Sequence, residues 1–357
     1  MSSSVRVAIC HVAPVFLSAR KTTEKVISLI TEATKNKANL VVFPEAYIPA
    51  FPIWSALRAP TENHNFFQQM ALESIYIDGE EIKTIQTVAK TLGVMASIGI
   101  SEKVRYSSAT LFNSNVIIDD SGDIVVHHRK LMPTFFEKLT WSPGDGFGLR
   151  VADTSVGKIG NLICGENTNP LARYSLMAQG EQIHISTWPA VWPTRNITED
   201  GPSTSRLDMK QGMSRKERAM NYDNVAANKI RASAHCFEAK CFGVVSSGFL
   251  DADTIHAIID GSRDPETVHA TLEKSQRGAS MFLDPTGMPL PGFIMNPGSS
   301  QEKREFLQME EGVLYADLDL NDCIEGKQYH DVVGGYQRLD VFNLKVDRRR
   351  KLPAELY

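Results

Sequence analysis

The sequence predicts an α/β fold in which sheets are covered by helices. Two observations carry that reading. Short, nearly continuous apolar runs rich in Val, Ile and Leu recur along the chain, as expected of strands buried on both faces. Between them lie amphipathic segments whose apolar residues fall at helical spacing. A length of 357 residues is compatible with about two domains, yet large α/β proteins often form a single unit.

Taken in order, Val5–Cys10 is a short β-branched run. Thr22 or Thr23 then caps a helix carrying Val26, Leu29, Ile30 and Ala33 on one face. Leu40–Phe43 is a wholly apolar strand stopped by Pro44. A second amphipathic helix covers Gly79 to Leu92, with Ile82, Ile85, Val88 and Ala89 turned inward. Strands follow at Val94–Ile100, Leu111–Ile118 and Ile124–His128, and then at Ile159–Cys164, Ile183–Thr187, Cys241–Ser246, Met281–Leu283 and Val313–Leu318. Helices are expected at Pro170–Gln179 and Tyr222–Lys240. The polar stretch Asn196–Met220, with Lys210, Arg215, Lys216 and Arg218, breaks the rhythm. It reads as a surface insertion, the alternative being a lid or an oligomer contact. The basic end, Asp347–Lys351, reads as a solvated tail.

Composition excludes several function classes. A formal net charge of −4 gives no reason to expect nucleic acid or an anionic membrane as partner. No segment approaches the roughly 18 apolar residues of a membrane span, and the start of the chain carries no cleavage signature. The expected compartment is the cytoplasm. The cysteines are Cys10, Cys164, Cys236, Cys241 and Cys323, an odd and scattered set unlike a disulfide framework. There is no C-x-x-C pair and no ligand-spaced His/Cys cluster, so neither a metal nor an organic cofactor is expected. Cys10, Cys236 and Cys241 read as small buried hydrophobes.

Cys164 is different. The apolar run Ile159–Ile163 ends abruptly at this residue, and Gly165-Glu166-Asn167 follows. A thiol at a strand exit is held rigidly above the sheet edge, where open α/β sheets place their chemistry. Glu45 leaves another strand, in Phe43-Pro44-Glu45-Ala46-Tyr47. It is either a desolvated base, with its carboxyl pKa raised, or a capping glutamate. Lys130 closes a third strand, in His128-Arg129-Lys130. It could stabilise an anionic intermediate or lie on the surface. Glu137, set between Phe135-Phe136 and Trp141, needs a partner if buried, and Lys130 is the candidate.

With these frames in place, the chain resembles the carbon–nitrogen hydrolase superfamily, and within it the nitrilase branch of bacterial type. The family pattern is a glutamate in Phe-Pro-Glu, a lysine in Arg-Lys and a cysteine in Cys-x-Glu, matched here by Glu45, Lys130 and Cys164 in that order. Further matches are Cys164–Arg173, Gly180–His184, His235–Lys240 and Gly334–Asp340. Gly165 stands where many relatives carry tryptophan, and Phe136-Glu137-Lys138 where the pattern is His-Glu-Arg. The resemblance spans Val5 to Leu344. It implies a four-layer αββα sandwich, with one domain over residues 1–345 and a C-terminal tail over 346–357.

The resemblance also implies roles. Glu45 would take the thiol proton and Cys164 would attack. Lys130 and the Gly165 N–H would stabilise developing charge, and Glu137 would orient Lys130. Tyr47 and Trp188 are candidate pocket walls. Trp54 either shapes the pocket or fills a loop. Glu166, polar at a packed position, reads as an internal hydrogen-bonding residue, the alternative being substrate contact. His127, His128, His184 and His235 lack the frame of a Cys–His dyad. The leading expectation is a nitrilase that turns a small organic nitrile into its acid and ammonia through a thioimidate and a thioester. The alternatives are an amidase or nitrile-hydrating relative using the same residues, and a catalytically silent assembly scaffold. A homodimer or larger homo-oligomer, spirals included, is expected through the helix bearing Tyr174, Leu176 and Met177.

Overall fold

The computed structural model describes residues 4–198, 201–202, 221, 223–296 and 300–354. Two large sheets stack face to face. The first runs, edge to edge, Gln301–Arg304, Gly292–Met295, Gly312–Asp319, β1 (Ser4–His11), β2 (Leu40–Val42), β3 (Met95–Val104), β4 (Ser107–Ile118) and β5 (Ile124–Arg129). The second contains β6 (Ala152–Thr154), β7 (Gly157–Ile163) and β8 (Ile183–Trp188), continued by Phe242–Ser247, Ser280–Leu283 and Pro289–Leu290. β1, β2 and β3 are parallel, as are β7, β8 and Phe242–Ser247.

The alternation of side chains along each strand builds the layers. Val5, Val7 and Ile9 of β1, with Leu40 and Val42 of β2, face the second sheet, where they meet Ile159, Ile183, Ile185, Phe242, Val244 and Phe282. Ala8, Cys10, Val41 and Phe43 point the other way, onto Val26, Ile30, Ile82 and Ile85 of helices Ala19–Lys35 and Glu80–Leu92. The outer face of the second sheet packs Val245, Met281 and Leu283 against Ala232, Cys236 and Ala239 of helix Asn224–Ala239. Leu162 of the same face meets Ala172 and Leu176 of helix Pro170–Met177. Helix, sheet, sheet, helix is therefore the observed order, the four-layer sandwich that was expected.

The expected strands all form, with ends shifted by a few residues. The two late helices begin at side-chain caps: Asn169 Oδ1 accepts from Leu171 N at 3.0 Å, and Asp223 Oδ1 from Ala226 N at 2.9 Å. Other elements were not anticipated, among them helices His64–Glu73, Ala252–Ile259 and Pro265–Lys274, the strand Gly292–Met295 and the edge strand Gln301–Arg304. Of the expected insertion, Ile197–Thr198 pairs with Gly201–Pro202. Residues 199–200 and 203–220 lie outside the described residues.

The basic end does not project into solvent as expected. Arg350 Nη1 pairs with Asp145 Oδ1 at 3.0 Å, and its Nη2 donates to the His127 carbonyl at 3.2 Å, while the guanidinium lies 4.3 Å from the centre of the Phe147 ring. Gly146 lets the tail approach, since a Cβ there would fall 2.2 Å from the Asp347 carbonyl oxygen. Arg348 Nη1 donates to Gln179 Oε1 at 3.4 Å and Lys351 N to Asp145 Oδ2 at 2.9 Å, while the Asp347, Arg349 and Lys351 side chains stay exposed.

β3 also supports the loop that follows β2. Phe43 N donates to Ser97 O at 2.8 Å, and Ile48 N to Gly99 O at 3.1 Å. A Cβ on Gly99 would sit 2.2 Å from the Pro44 carbonyl oxygen and 2.5 Å from the Ala46 nitrogen. Gly99→Ala is therefore expected to destabilise the fold by about 1–3 kcal/mol through overpacking. The loss should read as a lower denaturation midpoint, with displacement of the Glu45 loop seen as impaired turnover. An unchanged midpoint would show that the loop does not rest on this strand.

Candidate active site

Three strand exits converge between the sheets. β2 delivers Glu45 by way of Pro44, β5 delivers Lys130, and β7 delivers Cys164. Lys130 Nζ donates to Glu45 Oε1 at 2.8 Å and to Glu137 Oε2 at 2.6 Å, and all three side chains are shut off from solvent. One carboxylate oxygen from each of Glu45 and Glu137 and the Cys164 sulfur lie within 4.8 Å of one another. Asn113 of β4 adds a donor to Glu45 Oε1 at 2.7 Å. The second oxygens of both carboxylates, Glu45 Oε2 and Glu137 Oε1, are buried without a hydrogen-bond partner.

Local backbone geometry explains how such short connections aim these side chains. Cys164, Ala46 beside Glu45, and Phe135, two residues before Glu137, have φ of 50°, 46° and 51°. Non-glycine residues rarely adopt this left-handed region, and residues held there cluster at functional sites. Glu137 sits in the first turn of a short 3-10 helix, Phe135–Leu139, where its Oε2 also accepts from Thr134 N at 3.0 Å. It thus caps that turn while holding the lysine.

Burial pushes the Glu45 carboxyl up to about 7; the Lys130 ammonium pulls it down and the Glu137 carboxylate adds to the rise. Burial alone would lower Lys130, but Cys164, Glu137 and Glu45 outweigh it and hold the ammonium well above its ordinary value. Burial, reinforced by Glu45, raises the Cys164 thiol well above a free cysteine, against the pull of Lys130. The resting site therefore holds a neutral thiol beside a carboxylate poised near neutrality.

Glu166 ties two of the exits together. Its Oε1 accepts from Leu131 N at 2.5 Å, and its Oε2 from Ile163 N and His128 Nε2, both at 2.8 Å. One carboxylate thus fixes the residues on either side of Arg129-Lys130 to the residue before Cys164, the internal hydrogen-bonding role expected of it. Burial pushes this carboxyl up, but His128 and the two backbone N–H groups outweigh it and hold it below the usual range.

The remaining candidates fall into place unevenly. Gly165 follows the thiol and packs so tightly that a Cβ would lie 2.7 Å from Thr134 Oγ1. Trp188 ends β8; the Ile163–Thr187 register places it beside Cys164, and both belong to one buried cluster. Tyr47 is buried, donates its hydroxyl to Ala13 O at 3.0 Å, and lines an apolar pocket with Glu45, Phe16, Phe51, Val191 and Leu250. Trp54 does not reach the thiol: it stacks on Phe66 at 5.1 Å and fills a hydrophobic cluster. The histidines are engaged elsewhere, His127 with Glu102, His128 with Glu166, and His184 and His235 with Glu181.

Asn113 was not anticipated, although Asn113-Ser114-Asn115 is a polar triplet between the apolar residues Leu111-Phe112 and Val116-Ile117-Ile118. Glu45, Glu137 and Cys164 could frame a cation by distance alone, but the Lys130 ammonium already sits between the two carboxylates. A second such group, Glu181, His235 and Cys241, is equally buried, and its Glu181 and His235 are bonded to each other at 2.6 Å.

A Cys–Glu–Lys–Glu arrangement on stacked sheets has recognisable kin. The family model described as carbon–nitrogen hydrolase matches residues 6–328. A nitrilase of Penicillium rubens is 33% identical over 353 residues, covering 98% of this chain and 95% of the relative. A nitrilase of Pseudomonas syringae pv. syringae is 31% identical, covering 96% and 90%. Among solved structures, a carbon–nitrogen hydrolase from Helicobacter pylori G27 superposes with a TM-score of 0.63 at 21% identity, over 92% of this chain and 93% of that one. This chain belongs to the carbon–nitrogen hydrolase family, on its nitrilase branch.

Proposed function

We propose that this enzyme hydrolyses small organic nitriles to the carboxylic acid and ammonia, with Cys164 as nucleophile. The observation that carries the reading is the Lys130 ammonium, buried between Glu45 and Glu137 beside the thiol. Full-length kinship with nitrilases supports the nitrile rather than the amide as first substrate.

In this reading Glu45 takes the thiol proton as the sulfur bonds to the nitrile carbon, and the proton passes to nitrogen to give a thioimidate. Water adds to that carbon, nitrogen gains protons and ammonia leaves, so that a thioester remains. A second water, deprotonated by Glu45, releases the acid and restores the thiol. Lys130 and the Gly165 N–H stabilise the charge that develops during each addition. Glu137 keeps Lys130 charged and aimed. Tyr47 and Trp188 bound the space around the reacting carbon.

Assembly into a homodimer, extended into larger homo-oligomers, belongs to the same reading. Leu171, Tyr174, Tyr336, Leu339 and Phe342 line an open groove between helix Pro170–Met177 and the segment 332–344. Exposed apolar surface of this kind favours a covering partner. No described helix is long and apolar enough to cross a membrane.

Cys164→Ala should abolish acid and ammonia release from every nitrile while circular dichroism stays native; residual turnover at the wild-type level would sink the mechanism. Turnover of an amide with the matching nitrile left intact would instead favour the amidase reading. With Glu45 near 7, kcat/KM should rise as pH increases through about 7, because the ionised carboxylate is the active base. Glu45→Gln should lose that limb and about 10²–10⁴-fold in rate. A profile flat across neutrality in the wild type would remove Glu45 from the role. Leu339→Glu combined with Phe342→Glu should lower the mass seen by light scattering; an unchanged mass would place the interface elsewhere.

A further inference from the structure

Arg231 is a cation near the nucleophile to which the proposed mechanism gives no task. It stands on helix Asn224–Ala239, the layer that covers the outer face of the second sheet. Its guanidinium lies 4.4 Å from the centre of the Trp188 ring, and Trp188 is the strand neighbour of Cys164. The stacking fixes the plane of the guanidinium and leaves its edge available.

The partners on that edge are neutral and few. Nε donates to the Ala227 carbonyl at 2.8 Å, and Nη2 donates to Asn228 Oδ1 at 2.9 Å. Among the described residues no carboxylate pairs with Arg231. Arg129, Arg173 and Arg350 pair with Glu102, Glu238 and Asp145, whereas Arg58 and Arg277, like Arg231, bond only neutral oxygens among the described residues. What distinguishes Arg231 is its place over Trp188, the strand neighbour of Cys164. A half-buried guanidinium held in a fixed plane with no counter-ion can accept a charge that arrives from outside. Arg231 is among the charges that act on the Cys164 thiol, as its place over Trp188 requires.

We propose that Arg231 binds an anionic group on the substrate, so that this enzyme takes nitriles bearing a carboxylate a short chain away from the cyano carbon. The inference rests on the nitrile reading above and deepens it. The nitrile carbon lies at Cys164 Sγ, with Lys130 and Glu45 on the side of the first sheet. The carboxylate reaches past Trp188 to the free edge of Arg231 on the helix side. Charge-assisted hydrogen bonds from a planar guanidinium give both energy and orientation. A neutral nitrile of the same length leaves that edge unpaired.

The test compares a cyano-carboxylate series, γ-cyanobutyrate among them, with neutral nitriles of matching length, valeronitrile for γ-cyanobutyrate. Wild-type enzyme should favour the anion in kcat/KM. Arg231→Gln should lower the anionic-to-neutral ratio by about tenfold or more, chiefly through KM, with Arg231→Lys keeping part of the preference. The anion's KM should also rise with ionic strength. A wild type without preference overturns the proposal. So does an Arg231→Gln variant that loses both substrates equally, which would mean that the cation acts on the thiol and not on the substrate. Calorimetry on Cys164→Ala reads binding without chemistry: γ-cyanobutyrate should bind more tightly than valeronitrile, and equal affinities count against the inference. If the enzyme leaves nitriles intact but hydrolyses the corresponding carboxylate-bearing amides, the nitrile reading fails. The Arg231 inference is then judged on the same ratio measured with charged and neutral amides.

Discussion

The structure turns on one buried ammonium. Lys130 holds two carboxylates from different segments, and neither has access to water. Such a cluster is a poor source of stability, because the desolvation of charges in a low-dielectric interior largely offsets their attraction. Removing one member is worse, since it leaves an uncompensated charge at a cost of about 3–5 kcal/mol. The arrangement also carries one more acidic group than basic. That excess, added to burial, lifts Glu45 to about 7. The constraint that makes the site expensive is thus the one that suits Glu45 to its proposed role as a base at neutral pH.

The rest of the fold holds that cluster at fixed geometry. Glu45 rests on β3 through contacts that leave no room for a side chain at Gly99. Lys130 is fixed on one side by Glu166, which binds Leu131 N and His128, and on the other by the Arg129–Glu102 ion pair with His127. Cys164 follows Ile163, whose backbone N–H is bound by the same Glu166. The inter-sheet layer of Val7, Ile9, Val42, Ile185 and Val244 sets the distance between the sheets that supply these residues. A change of one methylene in so tightly packed a layer is felt at the exits. Glu166 touches none of the reacting atoms proposed here; it acts by keeping two strand ends in register.

The legible and illegible parts of the sequence differ for physical reasons. The central strands could be read because both of their faces are buried, which leaves uninterrupted runs such as Leu40–Phe43 and Ile159–Ile163. The same pattern would arise in one sheet with helices on both faces, so the residues alone did not yield the layer count; the family resemblance did. Edge strand Gln301–Arg304 is Gln-Glu-Lys-Arg, a polar run whose pairing is set by its neighbour Gly292–Met295 rather than by its own composition. Arg350 could not be separated from Arg348, Arg349 and Lys351, because its burial depends on where Asp145 and Phe147 are placed by the fold. Cys164 and Glu45 drew attention because each follows an apolar run at a strand exit, but Lys130, after His127-His128-Arg129, was singled out as part of the proposed site by the family resemblance. Asn113 and Arg231 were not legible, since their meaning comes from side chains distant in sequence, Glu45 and Trp188.

The electrostatics also constrain when the proton moves. In an enzyme that keeps a preformed thiolate, neighbouring positive charge lowers the cysteine well below its ordinary range. Here burial and the Glu45 carboxylate raise the thiol, and Lys130 opposes them without prevailing. Glu45, near 7, is a much weaker base than that thiolate would be, so transfer in the resting state runs uphill. The transfer becomes favourable as the sulfur spends its charge on the new bond to carbon and as negative charge grows on nitrogen within reach of Lys130. Deprotonation and attack are therefore coupled in the proposed mechanism, and the ammonium stabilises the charge after it has left the sulfur. This accounts for Lys130 being shared by two carboxylates rather than paired with the thiol alone: it is held for the charge of the adduct, not for that of the nucleophile.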